Sequence, residues 1–264
     1  MQVKAKKHFG QNFISDPKLI SRIVDVLGDD SDQLIIEIGP GTGALTTELV
    51  KRFKKVVAIE IDKELEPILK SKINSDNFDF VLADVLTVDF ESIIKQYDFK
   101  KVSIISNMPY YITSEILFKT LKISHLLNKA VFMMQKEVAV RLCANKNENN
   151  YNNLSVVCEF YSDRKYEFTV VKGMFRPIPK VDSAIVSLTF NDKYKTQVKD
   201  DQKFAEFVRK LFNNKRKTIL NNLTNVVSDK NLALDYLNKA NIDAKKRPEQ
   251  LGLEEFIVLF NLIG

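Results

Sequence analysis

The chain has 264 residues, of which 45% are hydrophobic and 28% charged, and it carries a formal net charge of +6. That composition supplies a sizeable core and excludes a disordered chain, while no apolar run reaches membrane-spanning length and no apolar leader follows Met1-Gln-Val-Lys-Ala-Lys-Lys7. A cytoplasmic protein is expected, and the positive balance favours a polyanionic partner.

Cys143 and Cys158 have no Cys-x-x-Cys or Cys/His spacing around them, so both are expected to be reduced structural thiols. Lys4, Lys6 and Lys7 form a basic amino-terminal arm, and Phe9-Gly-Gln-Asn-Phe13 reads as irregular. Ser15 or Asp16 ahead of Pro17 is a helix start, with Leu19, Ile20, Ile23, Val24 and Leu27 on one face. The strand Leu34-Ile-Ile-Glu-Ile-Gly39 opens directly into Gly39-Pro-Gly-Thr-Gly43 and a helix from Ala44 to about Phe53.

Strand, glycine-rich turn and helix open a nucleotide-binding βαβ unit, because missing side chains let backbone approach a ligand. The next strand, Val56 to Glu60, ends on a carboxylate about 20 residues past the first glycine, where a ribose hydroxyl pair is held. Glu60 takes that role and Asp62 competes for it. A third strand, Phe78 to Ala83, leads to Asp84, suited to accept from an adenine amino group.

The fourth strand, Val102 to Ile105, leads to Asn107-Met-Pro-Tyr110, just past the carboxyl end of the sheet where α/β proteins bind ligands. The Asn107 amide oxygen and the carbonyl of Met108 or Pro109 can accept from the two protons of an exocyclic amine, while Tyr110 stacks on the base. The competing reading is a proline turn with Tyr110 in the core. A fifth strand, Ala130 to Met134, precedes a helix from Lys136 to Leu142.

Helices over about 63–72, 90–96 and 113–121 fill the gaps and predict a parallel sheet with right-handed crossovers. Beyond the polar run Asn145 to Asn153, three further strands are expected at Leu154 to Tyr161, Tyr166 to Val171 and Ala184 to Phe190, giving the sheet an antiparallel edge. Two prolines hold Met174 to Ser183 extended.

Residues 1–190 thus read as one domain and 191–264 as a second, all helical, with helices near 204–212, 216–223, 231–240 and 248–263. The second carries 14 Lys+Arg against 10 Asp+Glu, a balance of +4 out of the chain's +6. Its clusters Arg209-Lys210, Lys215-Arg216-Lys217 and Lys245-Lys246-Arg247 suit RNA phosphates, or else form a solvated face.

A cofactor site beside an amine-acceptor site describes methyl transfer from S-adenosylmethionine better than hydride transfer. The turn Gly39-x-Gly41-x-Gly43 departs from the dinucleotide pattern Gly-x-Gly-x-x-Gly, and no second nucleotide-binding half follows.

Seven segments in order, Phe9-Gly-Gln-Asn-Phe-Ile14, Glu37-Ile-Gly-Pro-Gly-Thr-Gly43, Asn107-Met-Pro-Tyr110, Gln135-Lys-Glu-Val-Ala139 with Arg141, Phe175-Arg-Pro-Ile-Pro-Lys-Val-Asp-Ser-Ala184, Arg216-Lys-Thr218 with Asn221-Asn-Leu223, and Arg247-Pro-Glu-Gln-Leu251, resemble the ribosomal RNA adenine dimethyltransferase A family. The resemblance spans nearly the whole chain. It implies a Rossmann-like class I methyltransferase with a mostly parallel seven-stranded sheet, an antiparallel edge and a small helical carboxyl-terminal domain.

It also implies a cofactor site from Asn12, Ile14, Gly39, Gly41, Glu60, Asp84 and Asn107, without a metal. The implied reaction is dimethylation of N6 on two adjacent adenosines in the 3′-terminal hairpin loop of small-subunit ribosomal RNA, by a monomer. Phe175 is the candidate for the second face of the flipped base, against ordinary core packing. A large-subunit adenine methylase of the erythromycin-resistance type and a non-catalytic RNA-binding assembly factor are the alternatives.

Overall fold

The computed structural model describes Lys6 and residues 10–264. Lys4, Lys7 and Phe9, named above, lie outside the described residues. The chain divides into two compact units, residues up to 139 together with 165–190, and residues 140–164 together with 191–264.

In the first unit the elements are β1 (Phe13–Ile14), α1 (Pro17–Asp25), β2 (Leu34–Ile38), α2 (Ala44–Arg52), β3 (Lys55–Glu60), α3 (Glu66–Lys72), β4 (Phe78–Leu82), α4 (Phe90–Ile94), β5 (Val102–Asn107), α5 (Thr113–Lys122) and β6 (Lys129–Gln135). Helix α6 (Lys136–Cys143) and α7 (Asn153–Tyr161) follow, and β7 (Ser162–Val170), β8 (Phe175–Arg176) and β9 (Ser183–Phe190) complete the strands. Seven strands form one sheet in the order β4-β3-β2-β5-β6-β9-β7. The pairs β4·β3, β3·β2, β2·β5 and β5·β6 are parallel, and β9 runs antiparallel to β6.

The order reverses at β2, because the chain steps outward through β3 and β4 and then returns to β5 on the other side. That switch point opens a crevice at the carboxyl ends of β2 and β5. Every residue of β2 is buried, as expected of a strand covered on both faces. Ile35, Val56, Ile105, Val131 and Ile185 carry one core cluster across the sheet to Leu19, Ile23 and Leu49 of α1 and α2. Asp16 caps α1, its side chain accepting from the Leu19 N–H at 2.7 Å, with Pro17 in the first turn.

The second unit is helical: α7, α8 (Asp201–Leu211), α9 (Ile219–Val227), α10 (Lys230–Lys239) and α11 (Leu253–Ile263). Rings hold it together, with Phe160 against Phe204 at 4.6 Å between centroids, Phe204 against Phe260 at 5.5 Å and Phe212 against Phe256 at 5.7 Å.

Two expectations are corrected here. Leu154 to Tyr161 is helix α7, not a strand: Asn152 and Ser155 form a reciprocal capping box, and the helix is apolar nearly all round because it is buried in the helical unit. Residues 140–164, read in the sequence with the first domain, pack with the helical unit for the same reason. A pairing absent from the sequence reading also appears, with β1 running antiparallel to β8, Phe13 opposite Arg176 and Ile14 opposite Phe175.

Candidate active site

A cleft lies at the switch point, with about 1080 Å³ of empty space including its open mouth. Its floor and walls are built by residues 10–14, the turn after β2, the ends of β3 and β4, and the stretch after β5. Asn12, Ile14, Gly39, Gly41, Glu60, Asp84 and Asn107 all line it, together with Met108 and Pro109.

The turn is shaped by its glycines. Gly39 has φ +69°, and a Cβ there would meet no protein atom within 4 Å. Gly41 has φ +57°, and a Cβ there would come within 2.9 Å of the Phe13 ring, so the bare backbone lets β1 approach the turn closely.

Glu60 closes the far end. One carboxylate oxygen accepts from the Gly41 N–H at 3.2 Å, and the other from the Ile61 and Asp62 N–H groups at 3.0 Å each. Burial pushes its carboxyl up and these backbone donors pull it back, so the group is rigidly aimed with acceptor capacity left for a hydroxyl. Asp62, the competitor, does not line the cleft. Its two oxygens are taken by Lys6 Nζ at 2.8 Å and Gln11 Nε2 at 2.9 Å, which outweigh burial and hold its carboxyl below the ordinary range.

Asn107 ends β5, and its Nδ2 donates to the Asn12 carbonyl at 2.9 Å. The amide orientation is thereby fixed, with Oδ1 left as an acceptor. Of the two neighbouring carbonyls, that of Pro109 already accepts from Ile112 N–H and Thr113 Oγ1, both at 3.2 Å. The Met108 carbonyl accepts no hydrogen bond among the described residues, while its N–H is anchored on the Met133 carbonyl at 2.9 Å. Of the two, the Met108 carbonyl is the one left unengaged among the described residues.

The candidate aromatic residues stand in different surroundings. Tyr110 is half-buried outside the cleft, its hydroxyl sharing a 2.6 Å hydrogen bond with Ser183 Oγ on β9. Burial raises its phenol pKa and the Ser183 contact offsets part of the rise. Tyr111, one residue on, lines the cleft and is 54% exposed. Phe175 does not line the cleft: it is fully buried in the core cluster with Ile14, Met133 and Ile185, so core packing is what the structure gives this ring.

Sequence reasoning missed Glu37. It lines the cleft at 1% exposure, its Oε2 has no hydrogen-bond partner among the described residues, and burial pushes its carboxyl up to about 7. Ile61 and Leu86, both exposed aliphatics at the mouth, were missed as well. Their signal was position alone, directly after Glu60 and two residues after Asp84.

The family model described as "Ribosomal RNA adenine dimethylase" matches residues 2–264. The chain belongs to the ribosomal RNA adenine dimethylase family. It is 67% identical over 261 residues to the "Ribosomal RNA small subunit methyltransferase A" of Mycoplasma mycoides subsp. mycoides SC, covering 99% of this chain and 98% of that one. Among solved structures, it resembles a dimethyladenosine transferase from Plasmodium falciparum with a TM-score of 0.81 at 26% identity, over 95% of this chain and 97% of that one. The 23S rRNA methyltransferase ErmE, with a TM-score of 0.72 at 24% identity over 95% and 98% of the two chains, shares the fold.

As a member of this family the chain is a methyltransferase, and its sheet with one antiparallel edge is the Rossmann-like class I methyltransferase fold. Among the described residues, no helix is long and apolar enough to cross a membrane.

Proposed function

We propose that the chain dimethylates N6 of two adjacent adenosines in the 3′-terminal hairpin loop of small-subunit ribosomal RNA, with S-adenosylmethionine as donor, and that it works as a monomer in the cytoplasm. The observation that carries this reading is the pair of acceptors at the end of β5, Asn107 Oδ1 and the Met108 carbonyl, facing a cleft whose opposite end is Glu60.

The cleft fits the cofactor. Gly39 presents a cradle that a Cβ would fill, and the orphaned buried oxygen of Glu37 suits a cationic ligand. Glu60 would hold the ribose hydroxyls, Asp84 would accept from the adenine amine, and Ile61 and Leu86 would flank the flat base. When bound, S-adenosylmethionine supplies a methyl group on an already activated sulfonium leaving group.

The rest falls to this chain's own residues. The N6 lone pair of adenine is delocalised into its ring, so the amine is a poor nucleophile until both its protons are held. Asn107 Oδ1 and the Met108 carbonyl can hold them and draw the nitrogen toward tetrahedral geometry. Catalysis is then mostly orientation, and the extra proton leaves to solvent after transfer. The target must quit its stack at a cost of a few kcal/mol. Tyr110 and Tyr111 are the rings at hand to offset it.

RNA phosphates would be held by the helical unit, where Arg209, Arg216, Lys217, Lys245 and Arg247 are exposed and make no ion pair among the described residues. The small subunit is preferred over the large because the close relative named above carries the small-subunit name. Labelled methyl transfer onto undermethylated small and large subunits in parallel tests this. Label on large subunits alone, or on neither, would overturn the assignment.

A further inference from the structure

The loop between β8 and β9 carries a feature that methyl transfer alone does not use. Ile178 stands between Pro177 and Pro179 and is 59% exposed, and Val181 beside it is 46% exposed. Lys172, Arg176 and Lys180 stand near these residues in sequence and are all exposed. The acidic residue of the loop, Asp182, is half-buried and engaged, its Oδ1 accepting from the Lys172 N–H at 2.9 Å and its carbonyl from the Lys136 N–H at 3.0 Å. An exposed aliphatic tip on a segment that also exposes three cations is a poor surface for water and a good one for a polyanion with flat apolar faces.

The loop is fixed at both ends to the site. On one side Arg176 pairs with Phe13 and Phe175 with Ile14, in the segment that lines the cleft. On the other, Ser183 holds the Tyr110 hydroxyl at 2.6 Å. The Arg176 guanidinium is itself tied back to the Gly173 and Phe175 carbonyls at 2.9 and 2.8 Å. Two prolines restrict the tip between these anchors. Such a loop meets a base step without first having to be ordered.

We propose that Ile178 is a wedge: it enters the RNA stack at the step beside the target adenosine and occupies the room that base leaves when it swings to Asn107, with Lys172, Arg176 and Lys180 on the flanking phosphates. The proposal rests on the RNA adenine reading of the cleft. Apolar wedges inserted at a base step compensate part of the lost stacking. Ile178 is thus a positioning residue, acting on the neighbours of the reacting base and not on the base itself.

The test uses the full-length protein on undermethylated small subunits, with labelled methyl transfer measured at saturating enzyme so that binding does not limit the rate. Ile178→Ser should slow transfer about tenfold, the loss expected if the wedge supplies a fraction of the unstacking cost. Ile178→Leu should restore the rate to within about twofold. Val258→Ser, which removes another exposed aliphatic side chain, on α11 and not among the cleft-lining residues, should leave it unchanged.

The affinities of Ile178→Ser for subunits and for S-adenosylmethionine should match those of the unaltered chain. Wild-type rates in Ile178→Ser would overturn the wedge, as would an Ile178→Leu variant as slow as the serine one. A loss confined to subunit affinity would overturn it too, making the loop an anchoring contact. Absence of transfer by the unaltered chain would instead sink the functional reading beneath it.

Discussion

Replacing Glu37 by glutamine isolates one buried ionisation. The carboxyl is 1% exposed, and burial is the largest influence on it; the neighbouring Glu60 charge adds to the rise, while Thr46 and the Lys72 ammonium offset part of it. The result is a carboxyl that titrates near 7 in the folded chain and near its ordinary 4.5 when unfolded. Between those values the folded chain keeps a proton that the unfolded chain gives up. Its stabilising effect is therefore present in full below about 4.5 and is lost as pH rises to about 7.

At about 1.4 kcal/mol per decade of proton activity, the complete swing is about 3 kcal/mol. The amide of the Glu37→Gln variant has nothing to titrate. Urea unfolding of both proteins, without ligand, at about pH 5 and about pH 8 should show the variant gaining about 2 to 3 kcal/mol on the wild type over that interval. Taking the difference removes the other titrating groups, which both proteins share. A gap between the two proteins that is the same at both pH values would refute the burial argument.

Three further outcomes are expected. Asn107→Ala should cut turnover by about two to three orders of magnitude, as loss of a fixed polar group at the reacting centre does, with S-adenosylmethionine binding by calorimetry largely kept; near-normal turnover would remove Asn107 from the active site. Phe175→Ala should lose about 3 to 5 kcal/mol of stability in chemical denaturation, the cost of a cavity in a packed core. A loss of turnover without that destabilisation would restore Phe175 to the base-stacking role. RNA affinity should fall steeply with added salt, and Arg216→Ala with Lys217→Ala should reduce the slope of log affinity against log salt by about two; an unchanged slope would make this cluster a solvated face.

The parts of the site that could be read from sequence are those fixed locally. Leu34 to Gly43 declares itself because an apolar run ends in three glycines before a helix, and each step follows from the residue beside it. Val102 to Asn107 is legible for the same reason. By contrast, Leu154 to Tyr161 is short, apolar and partly β-branched, a run for which periodicity does not separate strand from buried helix. Only the Asn152 and Ser155 pair, read as a capping box, pointed the right way.

The strands β1 and β8 have two residues each and meet across more than half the chain, so no local pattern could announce them. The exchange of Tyr110 for Tyr111 at the cleft wall turns on one step of a 3-10 turn over Tyr110–Ile112, where successive side chains point about a third of a turn apart. The altered titration of Glu37 was likewise invisible: the letter stands in the glycine motif, but the burial that leaves one of its oxygens without a partner among the described residues is a property of the packed cleft.

The hydrogen bond from Asn107 to the carbonyl of Asn12 joins residues 95 positions apart. The orientation of the Asn107 amide is thus set by a stretch that precedes the first helix, and the same stretch forms part of the cleft wall. Removing residues through Asn12 would, on the proposed reading, take away that tether and part of the cleft wall together while leaving the seven-stranded sheet in place. A fold can survive at its full strength and still have lost the hand that aims the chemistry.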